Sequence, residues 1–370
     1  MSKLAIKFRS DSAGGWTTHN PTLAFGEIGV EFDSASGVAP KFKIGNGINA
    51  WSDSATKYFI NDSDQAGLSG GGGGGGDPSA TWYGSRGLHA GGLSSNAIDY
   101  FDITSAGNAS DFGDLTVSRR VFSGVSDTTY GVFAGGLSTF TDTIDYVTIA
   151  TTGNAQDFGD MTATTRGHMG VSNGNRGVFA GGYDGSSTNK IEYITLGGQT
   201  SGNGTDFGDL TVARSDTTGG MNDATRGVFP STYGTGLNVM DYITIASAGN
   251  ATDFGDHQGL SYQCATSDLT RGVIAGGSSG GAKDHIAYIT IQTTGDAADF
   301  GDLTEKRWQL AATSDATYGI FSGGRDLSNA ATNTIDRISI ATTGNATDHG
   351  DLNKGSNARR FGCSTSGSPS

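Results

Sequence analysis

Six copies of one four-strand unit, closed into a ring and preceded by a small separate β-domain, is the all-β architecture this sequence predicts, on three observations. The first is a repeated tetrad. Asp-Phe-Gly-Asp begins at Asp111, Asp157, Asp206, Asp253 and Asp299, and Asp348-His349-Gly350-Asp351 is a sixth copy, so the spacings are 46, 49, 47, 46 and 49 residues. A period in this range suits a four-stranded propeller blade. The second is the content of each period: four short runs rich in β-branched and aromatic residues, parted by glycine and polar turns. The third is a mismatch at the two ends of the array. The first unit opens at Trp82 without a first strand, and Arg359-Arg360-Phe361-Gly362-Cys363-Ser364-Thr365-Ser366 supplies an orphan one. The last strand therefore completes the first blade, which removes two sheet edges that an open array would expose.

The unit from Arg119 to Thr162 serves as the template. Strand a is the arginine-led run ending Ser123-Gly124-Val125-Ser126, strand b is Tyr130-Gly131-Val132-Phe133-Ala134, strand c is Ile144 to Ile149 and strand d is Asp157 to Thr162. Strand a is made of small residues in every copy and is expected to line a central channel. Cys264 and Cys363 fall at equivalent places in two non-neighbouring copies, where they read as small buried filler. Glycine pairs follow strand b at Gly91-Gly92, Gly135-Gly136, Gly181-Gly182, Gly276-Gly277 and Gly323-Gly324. With an aromatic in strand c, as at Tyr146 and Tyr193, the array resembles kelch repeats. It lacks their strand-d tryptophan, whose place Phe158 takes, and the fourth copy has Pro230-Ser231-Thr232 in place of Ala-Gly-Gly. That resemblance implies the fold and says little about function.

Ahead of the array, residues 1–66 carry another pattern: Phe8-Arg9, Trp16, Asn20-Pro21-Thr22-Leu23, Gly26-Glu27-Ile28-Gly29-Val30-Glu31-Phe32-Asp33, Lys41-Phe42-Lys43-Ile44-Gly45-Asn46-Gly47 and Trp51. Its turns mark a small hairpin-rich unit. In order and in kind these residues resemble the N-terminal domain of phage tropism determinants and related tail-fibre modules. The resemblance implies a virion-attachment or trimerisation element carried by Arg9, Trp16, Glu27 and Trp51, with other virion proteins as partners and a homotrimer as the assembly. Residues 67–79, with seven consecutive glycines from Gly70 to Gly76, read as a linker to a propeller spanning 80–370.

Composition narrows the function classes. The 370 residues include 37 acidic and 23 basic side chains, for a formal net charge of -14. Such a chain repels phosphate backbones, so no nucleic-acid partner is expected. No run approaches the roughly 20 apolar residues of a membrane span, and Met1 to Ile6 has no secretory apolar stretch. The expectation is synthesis in a host cytoplasm, incorporation into a virion, and no membrane insertion. Asn108-Ala109-Ser110 and its counterparts match the glycosylation sequon without a secretory context to use it.

The six histidines, His19, His89, His168, His257, His285 and His349, are scattered over different units, no metal cluster or cofactor motif stands out, and carboxylates recur too evenly for one pair to mark a hydrolase. The tetrad with its preceding Gly-Asn-Ala offers two readings, oxygen ligands for calcium or turn chemistry by Asn, Asp and Gly.

Recognition is expected on one face. The a-to-b and c-to-d turns are uniform and share one side of an antiparallel blade. The b-to-c and d-to-a connections share the other and differ between copies, at Leu137 to Thr143, Tyr183 to Lys190, Tyr233 to Val239, Ser278 to His285 and Arg325 to Thr334. Diversity over a uniform scaffold points to binding. The candidate ligand residues are Trp308, Lys306, Arg307, Tyr183, Tyr233, Arg166 and Arg325. The leading expectation is a phage fibre or appendage protein, not an enzyme, that presents its propeller to a host-surface glycan or protein. The alternative is a structural capsid, neck or tail decoration, and a polysaccharide hydrolase ranks third.

Overall fold

In a computed structural model of the chain, the described residues are 82–353 except 94, 138–140, 217–218 and 232–237, the strand Cys363–Gly367, and the backbone of four strands near the N-terminus. The chain divides into two compact units, with the boundary in the glycine run. The N-terminal unit holds one sheet in the order Phe8–Ser12, Ile28–Phe32, Lys41–Ile44, Tyr58–Phe59. Its first two strands pair in parallel, a difference from the hairpins expected. Positions 13–27 supply a connection long enough for that crossover. Arg9 lies in the first strand opposite Gly29. Trp16, Glu27 and Trp51, the linker 67–79 and Tyr233 fall outside the described residues.

The second unit is a six-bladed β-propeller. Five sheets run in simple chain order, and the sixth pairs Cys363–Gly367 with Arg86–Ala90, Ala97–Asp102 and Ser110–Asp114. Cys363 faces Ala90, Thr365 faces Leu88 and Gly367 faces Arg86, so the C-terminal strand closes the ring as the orphan segment predicted. No helix occurs among the described residues. Strand b is buried on both faces, as in Val132-Phe133-Ala134, while strand d buries only its Phe side. The apolar clusters sit between blades. One joins Leu88, Ile98 and Phe112 of blade 1 to Phe122, Phe133 and Val147 of blade 2, and the sixth closes the seam with Phe101 and Ile103 against Ile320 and Ile335. Blades 3 and 5 carry longer outer strands, Thr205–Arg214 and Ala298–Arg307.

The tetrad is an inter-blade clasp, a use neither reading of the sequence anticipated. Gly153 and Ala155, in the c-to-d turn of blade 2, donate their N–H groups to the carbonyls of Phe112 and Asp114 of blade 1, each at 2.8 Å. The Asn154 Oδ1 accepts from the Asp114 N–H at 3.1 Å. The same three bonds recur at every joint, including the seam, where Gly107, Ala109 and Asn108 grip His349 and Asp351. The outer edge of each blade is thereby paired rather than open. The tetrad glycine is needed twice over. Gly255 has φ +140°, and a Cβ there would stand 2.5 Å from the Gly295 carbonyl oxygen. Gly255→Ala is expected to cost about 2–4 kcal/mol, because the obstacle is backbone that cannot swing aside. Gly153→Ala, with nothing within 4 Å, should be nearly silent. Equal midpoints in urea for the two variants would show the clasp to be dispensable.

The a-to-b side is tied by a second repeated device. An arginine opening strand b lies over the strand-c tyrosine, Arg176 over Tyr193 at 4.1 Å and Arg226 over Tyr242 at 4.3 Å. Its guanidinium donates to a carbonyl of the following blade, Arg176 to Ile245 and Arg226 to Ile291. In blade 6 the pair is exchanged between strands, Arg337 over Tyr318 at 4.5 Å, and Arg337 still reaches across the seam to the Thr104 carbonyl at 2.8 Å. Each neighbouring turn is set by an Asp or Asn whose Oδ1 accepts two backbone N–H groups, as Asp315 does from Thr317 and Tyr318.

Candidate functional site on the loop face

On the opposite side, the residue after the loop end of strand d meets the residue after the glycine pair. Arg120 bridges Leu137, Arg166 bridges Tyr183, Ser261 bridges Ser278 and Trp308 bridges Arg325, all antiparallel. Each bridge is a reciprocal pair of backbone bonds, such as Tyr183 N–H to the Arg166 carbonyl at 2.8 Å and Arg325 N–H to the Trp308 carbonyl at 2.9 Å. The frame is backbone and therefore constant, and the side chains on it differ. The residue after each of these bridges is left-handed, Val121 (φ 57°), Gly167, Tyr262 (φ 60°) and Gln309 (φ 61°), and so is Asp216 (φ 58°) at the aligned place in blade 4. For a non-glycine residue this costs of order 1–3 kcal/mol. It turns the chain toward the axis, where the Val121 carbonyl accepts from Gly167 and the Tyr262 carbonyl from Gln309 of the next blade.

Two of the bridges are aromatic–guanidinium pairs. Arg166 lies over the Tyr183 ring at 4.7 Å and donates to the Asp216 carboxylate at 2.6 Å. Burial lifts the Asp216 carboxyl above its usual range, and the Arg166 charge opposes that lift. Arg325 lies over the Trp308 ring at 5.3 Å, with the Tyr262 ring 5.2 Å from Trp308 and tilted by 57°. Both pairs are half-buried. Lys306 is exposed at the end of the blade 5 outer strand, and Leu327 stands 68 % exposed in the next loop. The sequence reading missed Tyr262, Asp216 and Leu327. Tyr262 could have been found by aligning it with Val121, one position past the bridge.

Arg307 is a correction. Its side chain is fully buried, with Nη2 on the Asp336 carboxylate at 2.7 Å and Nη1 donating to the Gly323 and Thr334 carbonyls, both at 2.8 Å. Arg119 with Asp145 and Arg214 with Asp241 repeat the pair in blades 2 and 4. The residue is a strut beneath the loop face and cannot touch a ligand on it.

The channel is too small to compete as a binding site. Strand-a residues line it as expected, around a cavity of about 60 Å³, room for a few waters. Trp82 covers its a-to-b mouth, and its carbonyl accepts from the Ser126 hydroxyl. Between other blades the corresponding serine hydroxyl donates to the preceding blade, Ser172 to the Ser126 carbonyl at 2.7 Å and Ser314 to the Ser267 carbonyl at 2.6 Å. Burial pushes the Cys264 thiol up to about 12, so it is inert filler. Among the described residues, no three His, Cys, Asp or Glu side chains are placed to share a metal ion.

His168 fills the blade 2–3 joint below Arg166, fully buried and edge-on to Phe179. Burial, aided by the Arg119 charge, lowers its pKa from 6.5 to about 3. Burial likewise lowers His257 and His349. The unfolded chain then binds protons that the folded chain refuses, so stability is full above pH 6.5 and falls as pH drops toward 3. His168→Leu, which copies Leu310 at the aligned place in blade 6, is expected to flatten the decline in urea midpoint between pH 7 and pH 5. An unchanged pH profile would remove His168 as a source of acid sensitivity.

No family model and no curated protein matches the sequence.

Proposed function

We propose that this chain is a phage virion appendage protein that binds a host-surface glycan with the b-to-c and d-to-a face of its propeller. One observation carries the reading: a constant backbone frame holds different side chains on one face, while the opposite face and the rim are committed to joining blades. Half-buried aromatic rings flanked by guanidinium groups and by Ser, Gly and Asn loops suit a saccharide. Such rings pack against the apolar C–H groups of sugars, while fixed donors meet the hydroxyls.

The test is adsorption of the purified full chain to candidate host cells. Tyr183→Ala with Trp308→Ala should abolish it. Leu269→Ser, at a half-exposed position in an a-to-b turn of the opposite face, should leave it intact. Adsorption that survives the loop-face changes, or that is lost with Leu269→Ser alone, would overturn the assignment of the binding face.

A further inference from the structure

The two aromatic–guanidinium bridges belong to blades 3 and 6, which lie across the axis from each other in a six-bladed ring. Their order along the chain is reversed. In blade 3 the arginine comes from the d-to-a connection and the ring from the b-to-c loop, as Arg166 over Tyr183. In blade 6 the ring comes first, as Trp308 under Arg325. The other described bridges, Arg120 with Leu137 and Ser261 with Ser278, have no such pair. Between the two stations the strand-a residues that line the channel nearest this face are small, as at Gly124, Gly170, Ala265 and Ala312, so strand a puts no bulky side chain into the channel between them.

We infer that the face binds a linear polysaccharide along its length, held at two opposed stations, rather than a terminal sugar held at one. The inference rests on the proposed glycan reading and extends it from ligand class to ligand shape. With strands about 4.8 Å apart and the bridges lying outside strand b, the stations stand roughly 20–30 Å from each other. One sugar ring cannot touch both, and a chain of several can. Each station offers a ring edge and guanidinium N–H donors to a stretch of chain. Engaging the second station is then intramolecular, and affinity rises steeply once the ligand spans both.

The experiment measures binding of the full chain to linear bacterial surface polysaccharides, each cut into fragments from the disaccharide upward. The expected result is a steep rise in affinity, roughly a hundredfold, over the few lengths at which a fragment first spans both stations. Tyr183→Ala and Trp308→Ala should each remove that rise while leaving the weak binding of short fragments at the remaining station. Arg166→Gln and Arg325→Gln provide a second pair of variants, and unchanged melting curves establish that all four fold. Affinity flat with length, or loss confined to one station's variants, would overturn the two-station inference and leave glycan binding standing. A wild-type chain that binds no fragment of any length would overturn the glycan reading itself.

Discussion

A chain lacking residues 358–370 is expected to lose its native fold. That segment supplies the innermost strand of blade 1, hydrogen-bonded along Arg86–Ala90, and one sixth of the channel wall. It also carries Ser366, whose hydroxyl donates to the Ser314 carbonyl of blade 6. Without it, Leu88 and Ala90, both fully buried, face a gap, and strand b of blade 1 becomes an unpaired apolar edge. The truncated chain should aggregate, and any soluble remainder should melt about 10 °C or more below the full chain. A synthetic peptide of residues 358–370 should restore the midpoint when added in excess. A truncated chain that stays soluble with an unshifted midpoint would mean that the ring holds without its closing strand.

The buried ion pairs give the second large effect. Arg119 and Asp145 are both fully inaccessible, and the guanidinium also donates to the Phe133, Gly135 and Thr143 carbonyls. Arg119→Leu would strand a buried carboxylate and three carbonyls, at about 3–5 kcal/mol. Blade 5 already holds an apolar version of the site, with Leu260 and Ala287 at the aligned positions. The double variant Arg119→Leu with Asp145→Ala should therefore recover more than half of the loss. Denaturant midpoints for the two variants decide it: a double variant no more stable than the single would show that the charge pair is not the source of the penalty.

Much of the ring was legible because its evidence is periodic. The tetrad spacing counted the blades, the orphan strand at Cys363 closed them, and strand parity assigned the loops to faces. What escaped notice lies across blades. The exchange of partners between Arg176–Tyr193 and Tyr318–Arg337 was written in the aligned units, but its carbonyl acceptors sit about 70 residues along, as Ile245 does from Arg176. Arg307 was misplaced for a local reason. The blade 5 outer strand runs on to Arg307, so Lys306 and Arg307 point to opposite sides. Asp336 in the following blade was the available clue. The left-handed backbone at Val121 and Tyr262 had no signal of its own, since neither residue prefers that conformation. On the loop face, residue type and loop position single out Arg166, Tyr183, Trp308 and Arg325, and the backbone bridges beneath them make the pairs.

The clasp at each joint is built almost wholly from peptide groups and one short Asn or Asp side chain. The hydrogen bonds of the joint are therefore indifferent to what the loops contain, and a unit exchanged with a related copy brings its half of each clasp with it. A whole loop pair can then arrive in one event already mounted on a working frame. On the proposed binding role, such an array changes its ligand in single steps rather than residue by residue.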